Sequence, residues 1–218
     1  MIISRTPFRV SLFGGGTDLP VWLNKNKGKV FSLAINKYCY ITSRNLNDFF
    51  DYRYAITYYK REHVNNFKDI KHPVVRNLIK LHAPNSRLEI EHKSDLPARS
   101  GIGSSSSFSV GLLNTFLTKN KPVSKKKLSD QSIYLEQSIL KETVGIQDQI
   151  RAAYGGVGFI NMSKNNYYVK NLSKNSIPAK VIENSIILVY SSLTRNASKV
   201  ESTKVNNLKK NKTINSMK

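Results

Sequence analysis

Residues 94–117 read SDLPARSGIGSSSSFSVGLLNTFL, and this stretch decides both the fold and the kind of site. Apolar side chains in its second half recur at the spacing of one helical face: Phe108, Leu112, Leu113, Phe116 and Leu117. Backbone N–H groups at a helix start lack intrahelical acceptors and lie at the positive end of the helix dipole, so they favour anions. Gly101 and Gly103 let the backbone approach closely, and the following serines add hydroxyl donors. We therefore predict that Ser100–Ser107 is a phosphate-binding loop.

Two common phosphate motifs do not describe this loop. A Walker A loop needs Gly-Lys-Ser/Thr after a glycine and four residues, and the chain has no such run. A dinucleotide fingerprint needs glycine where Ser106 stands. The alternative is a flexible Gly/Ser connector, but a connector rarely runs straight into a strongly apolar helix.

The chain is strongly basic, with 35 Lys and Arg against 14 Asp and Glu and a formal net charge of +21. Such a charge attracts nucleic acid, anionic membrane surface and phosphorylated metabolites alike. Lysines alternate with asparagines at 24–29 and 209–212, which indicates the compositional bias of an AT-rich genome. We therefore expect a phosphorylated metabolite as partner, and neither nucleic acid nor membrane.

Cysteine and histidine give no sign of a disulfide or a zinc site. Cys39 is the only cysteine, and the four histidines lie about ten residues apart: His63, His72, His82 and His92. No stretch approaches the ~20 apolar residues of a membrane span. We predict a cytoplasmic protein without a structural metal.

Strands precede and follow a helical middle section, which predicts an α+β domain. Residues 8–12 alternate and lead into the turn Gly14–Asp18, and further strands are expected at Val30–Arg44, Tyr52–Tyr59, Arg87–His92, Val157–Met162, Tyr167–Val169 and Ile186–Ser191. The helix after the serine loop should stop before Pro122. Two more helices are expected, from Ser124 or Ser129 to about Glu142 and from Gln147 to Ala153.

Three segments in order resemble the GHMP small-molecule kinases, and among them the heptose 7-phosphate kinases. They are SRTPFRVSLFGGGTDLP at 4–20, LPARSGIGSSSS at 96–107 and ETVGIQDQIRAAYGG at 142–156, with a weaker fourth match, LTRNA, at 193–197. The resemblance implies the family's N-terminal domain at 1–180, of the fold called ribosomal protein S5 domain 2-like. It implies only the start of a ferredoxin-like C-terminal domain at 181–218, ending in a basic tail.

The resemblance also implies ATP-dependent phosphorylation of a sugar phosphate with Mg²⁺, in which Asp148 accepts or orients the proton of the attacking hydroxyl. Arg9 would keep Asp148 ionised and stabilise the transferring phosphoryl group. Glu136 and Ser105 would hold the magnesium ion. Further contacts are implied with ATP, by Pro97, Arg99, Ser100, Gly101, Ile102, Gly103, Ser104, Ser105 and Ser106, and with the sugar, by Gly14, Gly15, Gly16, Thr17, Asp18 and Arg195.

The family's third, glycine-rich motif has no counterpart, because no glycine follows Gly158. We therefore expect weak or absent activity from the chain alone, and a complementing C-terminal fragment is a candidate partner. Three functions stay open: a heptose 7-phosphate kinase acting on the anomeric hydroxyl for surface polysaccharide synthesis, another sugar-1-kinase such as a fucokinase, and a non-catalytic basic binding remnant.

Overall fold

The structure is a computed structural model that describes residues 1–98, 100–118 and 121–189. Its strands are β1 (Ile2–Phe13), β2 (Gly28–Asn45), β3 (Tyr54–Thr57), β4 (Arg61–Val64), β5 (Leu88–Ser94), β6 (Val157–Ser163) and β7 (Asn166–Asn171). Its α-helices are α1 (Pro20–Leu23), α2 (Pro73–His82), α3 (Ser104–Leu117), α4 (Lys125–Tyr134), α5 (Gln147–Tyr154) and α6 (Ile177–Ser185). A 3₁₀ turn spans Phe67–Asp69, and a π-helical turn, Leu135–Ile139, extends α4.

One mixed sheet organises the fold, and the 18-residue strand β2 is its axis. The sheet order is β4-β3-β5-β2-β6-β7, and β1 pairs with β2. The second half of β2 pairs with β5 and its first half with β6. All pairings are antiparallel except that of β3 with β5, which is parallel.

Two apolar cores form where helices pack on this sheet. The larger core joins β1, β2, β3 and β5 to α2 and α3, with fully buried side chains that include Phe8, Ile41 and Leu112. The smaller core joins α1 and α5 to β2 and β6 through residues such as Trp22 and Ile150. These two cores hold the second half of β1, the start of α3 and the start of α5 close together, and that is where the site lies.

The sequence prediction of a mixed domain is confirmed, and most predicted elements are present. Ser124 rather than Ser129 caps α4, because its hydroxyl accepts the Lys127 N–H at 3.2 Å. Helices α1, α2 and α6 were not predicted, although each has proline in its first turn, a position where the missing N–H costs nothing. The predicted strand Ile186–Ser191 is wrong over its described part, since 186–189 form no regular element after α6.

The division into a domain at 1–180 and a second domain start at 181–218 stays a prediction. Helix α6 crosses the expected boundary at 180, and residues 190–218 lie outside the described residues. The described part of the chain contains no helix that is both long and apolar enough to span a membrane.

Candidate active site

The serine loop lies against strand β1 and turns directly into α3. Gly101 and Gly103 have φ of +78° and +73°, a conformation that side chains disfavour. Between them the buried Ile102 anchors the loop in the larger core, and its carbonyl accepts the Arg9 backbone N–H at 3.1 Å. Ser100 closes the preceding turn by donating to the Pro97 carbonyl at 2.8 Å. The loop is therefore a fixed backbone cradle.

The start of α3 offers backbone donors to this cradle. Gly103 is the residue before the helix, and the first intrahelical bond in the turn runs from the Ser107 N–H to the Gly103 carbonyl at 2.9 Å. The N–H groups of the first helical residues before Ser107 have no acceptor within the helix. Ser104 is half-buried and Ser105 is exposed, so both hydroxyls lie on the open side of the turn. This geometry suits an anion.

An arginine and a carboxylate face each other beside the cradle. The Arg9 Nε and Nη2 atoms donate to the two carboxylate oxygens of Asp148, both at 2.7 Å. The remaining Arg9 nitrogen, Nη1, donates to the Gly101 carbonyl at 2.8 Å. A Cβ atom on Gly103 would lie 3.2 Å from Arg9 Cγ and 3.4 Å from Asp148 Oδ2. Glycine at 103 thus allows the loop to touch the pair, and this bidentate bond fixes both side chains.

Glu136 lies behind the serine loop in a closed polar pocket, with 1% of its surface exposed. Its Oε2 accepts from Ser106 Oγ at 2.9 Å and from Gln149 Nε2 at 2.6 Å. Burial raises the pKa of Glu136 to about 7, against the lowering effect of Ser109, Gln149 and Ser106. Its second oxygen, Oε1, has no partner of hydrogen-bond geometry in the described residues. The hydrogen bonds of good geometry therefore fall on Oε2, while Ser109 acts on the carboxylate from nearby.

Hydrogen bonds from its own side chains stabilise the glycine turn after β1. Thr17 Oγ1 donates to the Gly14 carbonyl at 2.7 Å, and a Cβ atom on Gly14 would collide with the Lys29 carbonyl at 2.0 Å. Asp18 is 3% exposed, and its carboxylate accepts the Gly16 N–H at 3.0 Å and the Gln147 N–H at 3.3 Å. Burial raises the pKa of Asp18, and the charge of Asp148 adds to that increase. Asp18 therefore braces the turn against the start of α5.

A cleft of about 370 Å³ separates the glycine turn from the serine loop. The residues that line it are Arg9, Val10, Ser11, Leu12, Gly15, Gly101, Ile102 and Gln147. Arg9, Gly101 and Ile102 are shared between this cleft and the loop, so a small polar ligand here would lie beside the arginine that binds Asp148.

Most of the predicted site residues converge on this region. Arg9, Gly101, Ile102, Gly103 and Asp148 are in direct contact, as described above. Gly15 lines the cleft, whereas Gly14, Thr17 and Asp18 hold the turn from behind, and Gly16 contributes the N–H that Asp18 accepts. Pro97, Ser100 and Ser104 lie in the loop and its helix start.

The structure shows no contact between Glu136 and Ser105, the two residues predicted to hold magnesium, among the hydrogen bonds of the described residues. Ser106, one residue further along α3 than the predicted ligand Ser105, is the serine that hydrogen-bonds Glu136. Arg99 and Arg195 lie outside the described residues. Among the residues that the structure does describe, no three or more His, Cys, Asp or Glu side chains form a group able to hold a metal. Gln147 lines the cleft and Gln149 donates to Glu136, and neither residue was predicted. Both flank Asp148 in the motif at 142–156, which could have drawn attention to them.

The start of α3, with its free N–H groups, lies beside the Arg9–Asp148 pair in a mixed α/β domain, and this arrangement suits a phosphate group. Residues 68–156 match the family described as the GHMP kinases N terminal domain. Over these residues the chain resembles the GHMP kinase N-terminal domain, as its motifs predicted.

Individual relatives agree with this assignment. The chain is 29% identical to the D-glycero-alpha-D-manno-heptose 7-phosphate kinase of Campylobacter jejuni, over 99% of the chain and 67% of that protein. It is 29% identical to the galactokinase of Chloroflexus aurantiacus, over 72% of the chain and 41% of that protein. Its fold matches a D-glycero-D-manno-heptose 1-phosphate kinase structure from Bacteroides thetaiotaomicron with a TM-score of 0.70 and 24% identity, over 79% of the chain and 60% of that structure.

Proposed function

We propose that the chain is the ATP-binding part of a sugar kinase, which transfers the γ-phosphoryl group of ATP to the anomeric hydroxyl of a heptose 7-phosphate. The observation that carries this proposal is the bidentate Arg9–Asp148 pair in contact with the glycine loop at the start of α3. Phosphoryl transfer needs mainly positioning and charge stabilisation. A carboxylate, an arginine and a set of backbone donors supply both.

Each residue has a role that follows from its contacts. The free N–H groups at the start of α3 bind the phosphates of the nucleotide. Asp148 orients the acceptor hydroxyl and accepts its proton. Arg9 holds the carboxylate in place through two hydrogen bonds, and its charge stabilises the negative oxygens of the group in transfer.

A magnesium ion shared with the nucleotide is part of this proposal. Mg²⁺ prefers oxygen ligands and is usually held by one or two carboxylates together with substrate phosphates and water. Glu136 offers one carboxylate oxygen without a partner of hydrogen-bond geometry in the described residues, and the exposed Ser105 hydroxyl lies on the side of the cradle. These two residues would hold the ion, which neutralises phosphate charge when it is bound.

The heptose phosphate is proposed as substrate because the relative that spans almost the whole chain is named for that sugar. The similarity to a galactokinase over 72% of the chain favours a second candidate, a kinase for an unphosphorylated hexose. Both candidates use the same nucleotide site, and they differ in what occupies the cleft beside Gly15.

Mass spectrometry of sugar products tests the proposal. The purified chain is incubated with ATP, Mg²⁺ and, separately, D-glycero-D-manno-heptose 7-phosphate, galactose and fucose. We expect slow formation of a heptose 1,7-bisphosphate and none in the Asp148→Asn variant. If product forms only from galactose or fucose, the proposed substrate becomes an unphosphorylated sugar instead of the heptose phosphate. Equal product from the wild type and from Asp148→Asn would contradict the proposed site.

A further inference from the structure

Gln147 carries a side-chain amide at the wall of the cleft. The residue is 9% exposed, and its Oε1 atom is buried without a hydrogen-bond partner among the described residues. Buried polar atoms in native proteins are nearly always paired, so an unpaired one requires an explanation. A ligand that supplies the missing partner is such an explanation.

The position of this amide points to the cleft. Gln147 is one of the residues that line the cleft beside the Arg9–Asp148 pair. Its Nε2 atom faces the glycine turn, since a Cβ atom built on Gly15 would lie 4.0 Å from Nε2 and 3.9 Å from Ser11 Oγ. The amide therefore lies beside the glycine turn, at the wall of the cleft.

The backbone of Gln147 is fixed, which keeps the amide at this place. Asp18 accepts the Gln147 N–H at 3.3 Å and the Gly16 N–H at 3.0 Å, so one buried carboxylate ties α5 to the glycine turn. A Cβ atom on Gly145 would lie 1.8 Å from Asp18 Oδ2, which leaves this carboxylate no room on that side. Asp148 follows directly in the chain, so the backbone positions of Gln147 and Asp148 are fixed relative to the glycine turn.

We propose that Gln147 is a specificity-determining residue whose amide hydrogen-bonds the sugar hydroxyl next to the one that is phosphorylated. A carboxamide offers one acceptor and two donors, and rotation about its last torsion exchanges them, so it can pair with a hydroxyl as donor or as acceptor. A site built to hydrogen-bond a hydroxyl rejects the analogue that lacks it, because the polar group is again left without a partner. This inference rests on the proposed sugar kinase function.

Calorimetric titration separates this inference from the proposed function. The 218-residue chain is titrated first with ATP and Mg²⁺, and then with D-glycero-D-manno-heptose 7-phosphate, galactose and their 2-deoxy counterparts. The same ligands are titrated into Gln147→Met, which keeps the side-chain length and removes the amide. The control is Gln131→Met, because Gln131 on α4 also has a buried Oε1 without a partner but does not line the cleft.

We expect Gln147→Met to bind the preferred sugar about tenfold more weakly than the wild type, with unchanged ATP affinity. The wild type should bind the 2-deoxy sugar about tenfold more weakly than the preferred sugar, whereas Gln147→Met should bind the two sugars with equal affinity. Gln131→Met should match the wild type throughout. If Gln147→Met does not fold, Gln147→Asn retains the amide one methylene short and should show the same loss of sugar affinity.

Two results would overturn the inference. Unchanged sugar affinity in Gln147→Met, with ATP still bound, removes Gln147 from the sugar site and leaves the proposed function standing. Absence of both ATP and sugar binding in the wild type removes the proposed function, and the inference with it.

Discussion

Arg9 and Asp148 illustrate how a pair of residues 139 positions apart becomes one chemical group. Alone on its strand, Arg9 reads as an exposed alternating position, and Asp148 reads as an ordinary carboxylate near a helix start. The fold places both carboxylate oxygens 2.7 Å from Arg9 nitrogens and leaves the aspartate side chain 25% exposed. Part of the aspartate side chain therefore remains accessible to a ligand.

Asp148→Asn should reduce turnover much more than nucleotide binding. The amide keeps the size of the side chain but cannot accept a proton or retain two charge-assisted bonds with Arg9. We expect the rate of phosphoryl transfer to fall by about 10²–10⁴-fold, with ATP affinity within a few-fold of the wild type. Single-turnover kinetics and an ATP titration on the same preparation measure the two effects. A large loss of ATP affinity with an unchanged rate would place Asp148 in the nucleotide site instead.

Glu136 should make stability depend on pH in a predictable direction. Burial raises its pKa from 4.5 to about 7, so between these values the folded chain holds more protons than the unfolded chain. The resulting stabilisation is complete below pH 4.5 and is lost as the pH rises through 7. The Glu136→Gln variant has no carboxyl here and does not lose this stabilisation. The difference in the free energy of unfolding, variant minus wild type, should therefore increase by about 2–3 kcal/mol between pH 4.5 and pH 8.

Urea denaturation in the presence of a chelator measures this difference without metal binding. The exposed Glu183→Gln variant is the control and should follow the wild type at each pH. A Glu136→Gln variant that loses stability with pH as steeply as the wild type would show that this carboxylate is not the titrating group.

Among the elements, the loop before α3 joins local structure to chemistry. Its two left-handed glycines differ in what surrounds them: a Cβ on Gly101 would meet no atom within 4 Å, whereas one on Gly103 would press on Arg9 and Asp148. The positive φ therefore favours glycine at both positions. At 103 the nearby Arg9 and Asp148 side chains also leave little room for a Cβ atom.

Gly103→Ala should weaken both the fold and nucleotide binding. The strained φ costs about 1 kcal/mol, and the added methyl group must displace Arg9 or move the loop. Gly155→Ala is the matched control, because Gly155 also has positive φ, at +64°, but a Cβ there meets nothing within 4 Å and lies outside the loop. We expect both variants to lose stability in thermal unfolding and only Gly103→Ala to lose ATP affinity. Equal ATP affinity in the two variants would separate the loop from the nucleotide.

The elements also indicate what the sequence could reveal. Helix α3 and its loop were predictable because glycine, serine and an apolar face are encoded within one short stretch. Helices α2 and α6 were not predicted, although His72-Pro73 and Ser176-Ile177-Pro178 are typical helix starts. The bracing role of Asp18 could not be predicted, since its partner at Gln147 is 129 residues away and is supplied only by the packing of α5 on the sheet.

At the scale of the whole molecule, charge is the dominant feature. A formal net charge of +21 on 218 residues creates repulsion within the folded chain and attraction for anionic ligands. The anion cradle and Arg9 direct part of this attraction to the site.

Salt should therefore act in opposite directions on stability and on binding. Screening of repulsion at 0.5 M NaCl, where the Debye length is well below 10 Å, should raise the unfolding temperature of the free chain relative to about 0.02 M. The same screening should weaken ATP binding several-fold. Differential scanning fluorimetry and calorimetry measure the two effects. An unfolding temperature that falls with added NaCl would contradict a stability limited by repulsion.

The central claim, that the glycine–serine loop at the start of α3 binds the phosphates of ATP, is tested most directly by calorimetric titration of ATP with Mg²⁺ into the chain and into Gly103→Asp. The aspartate would add a negative charge and a side chain where the loop touches Arg9 and Asp148. We predict saturable binding to the wild type and to Gly155→Ala and none to Gly103→Asp. A wild-type chain that does not bind ATP, or a Gly103→Asp variant that binds it equally well, would contradict the account.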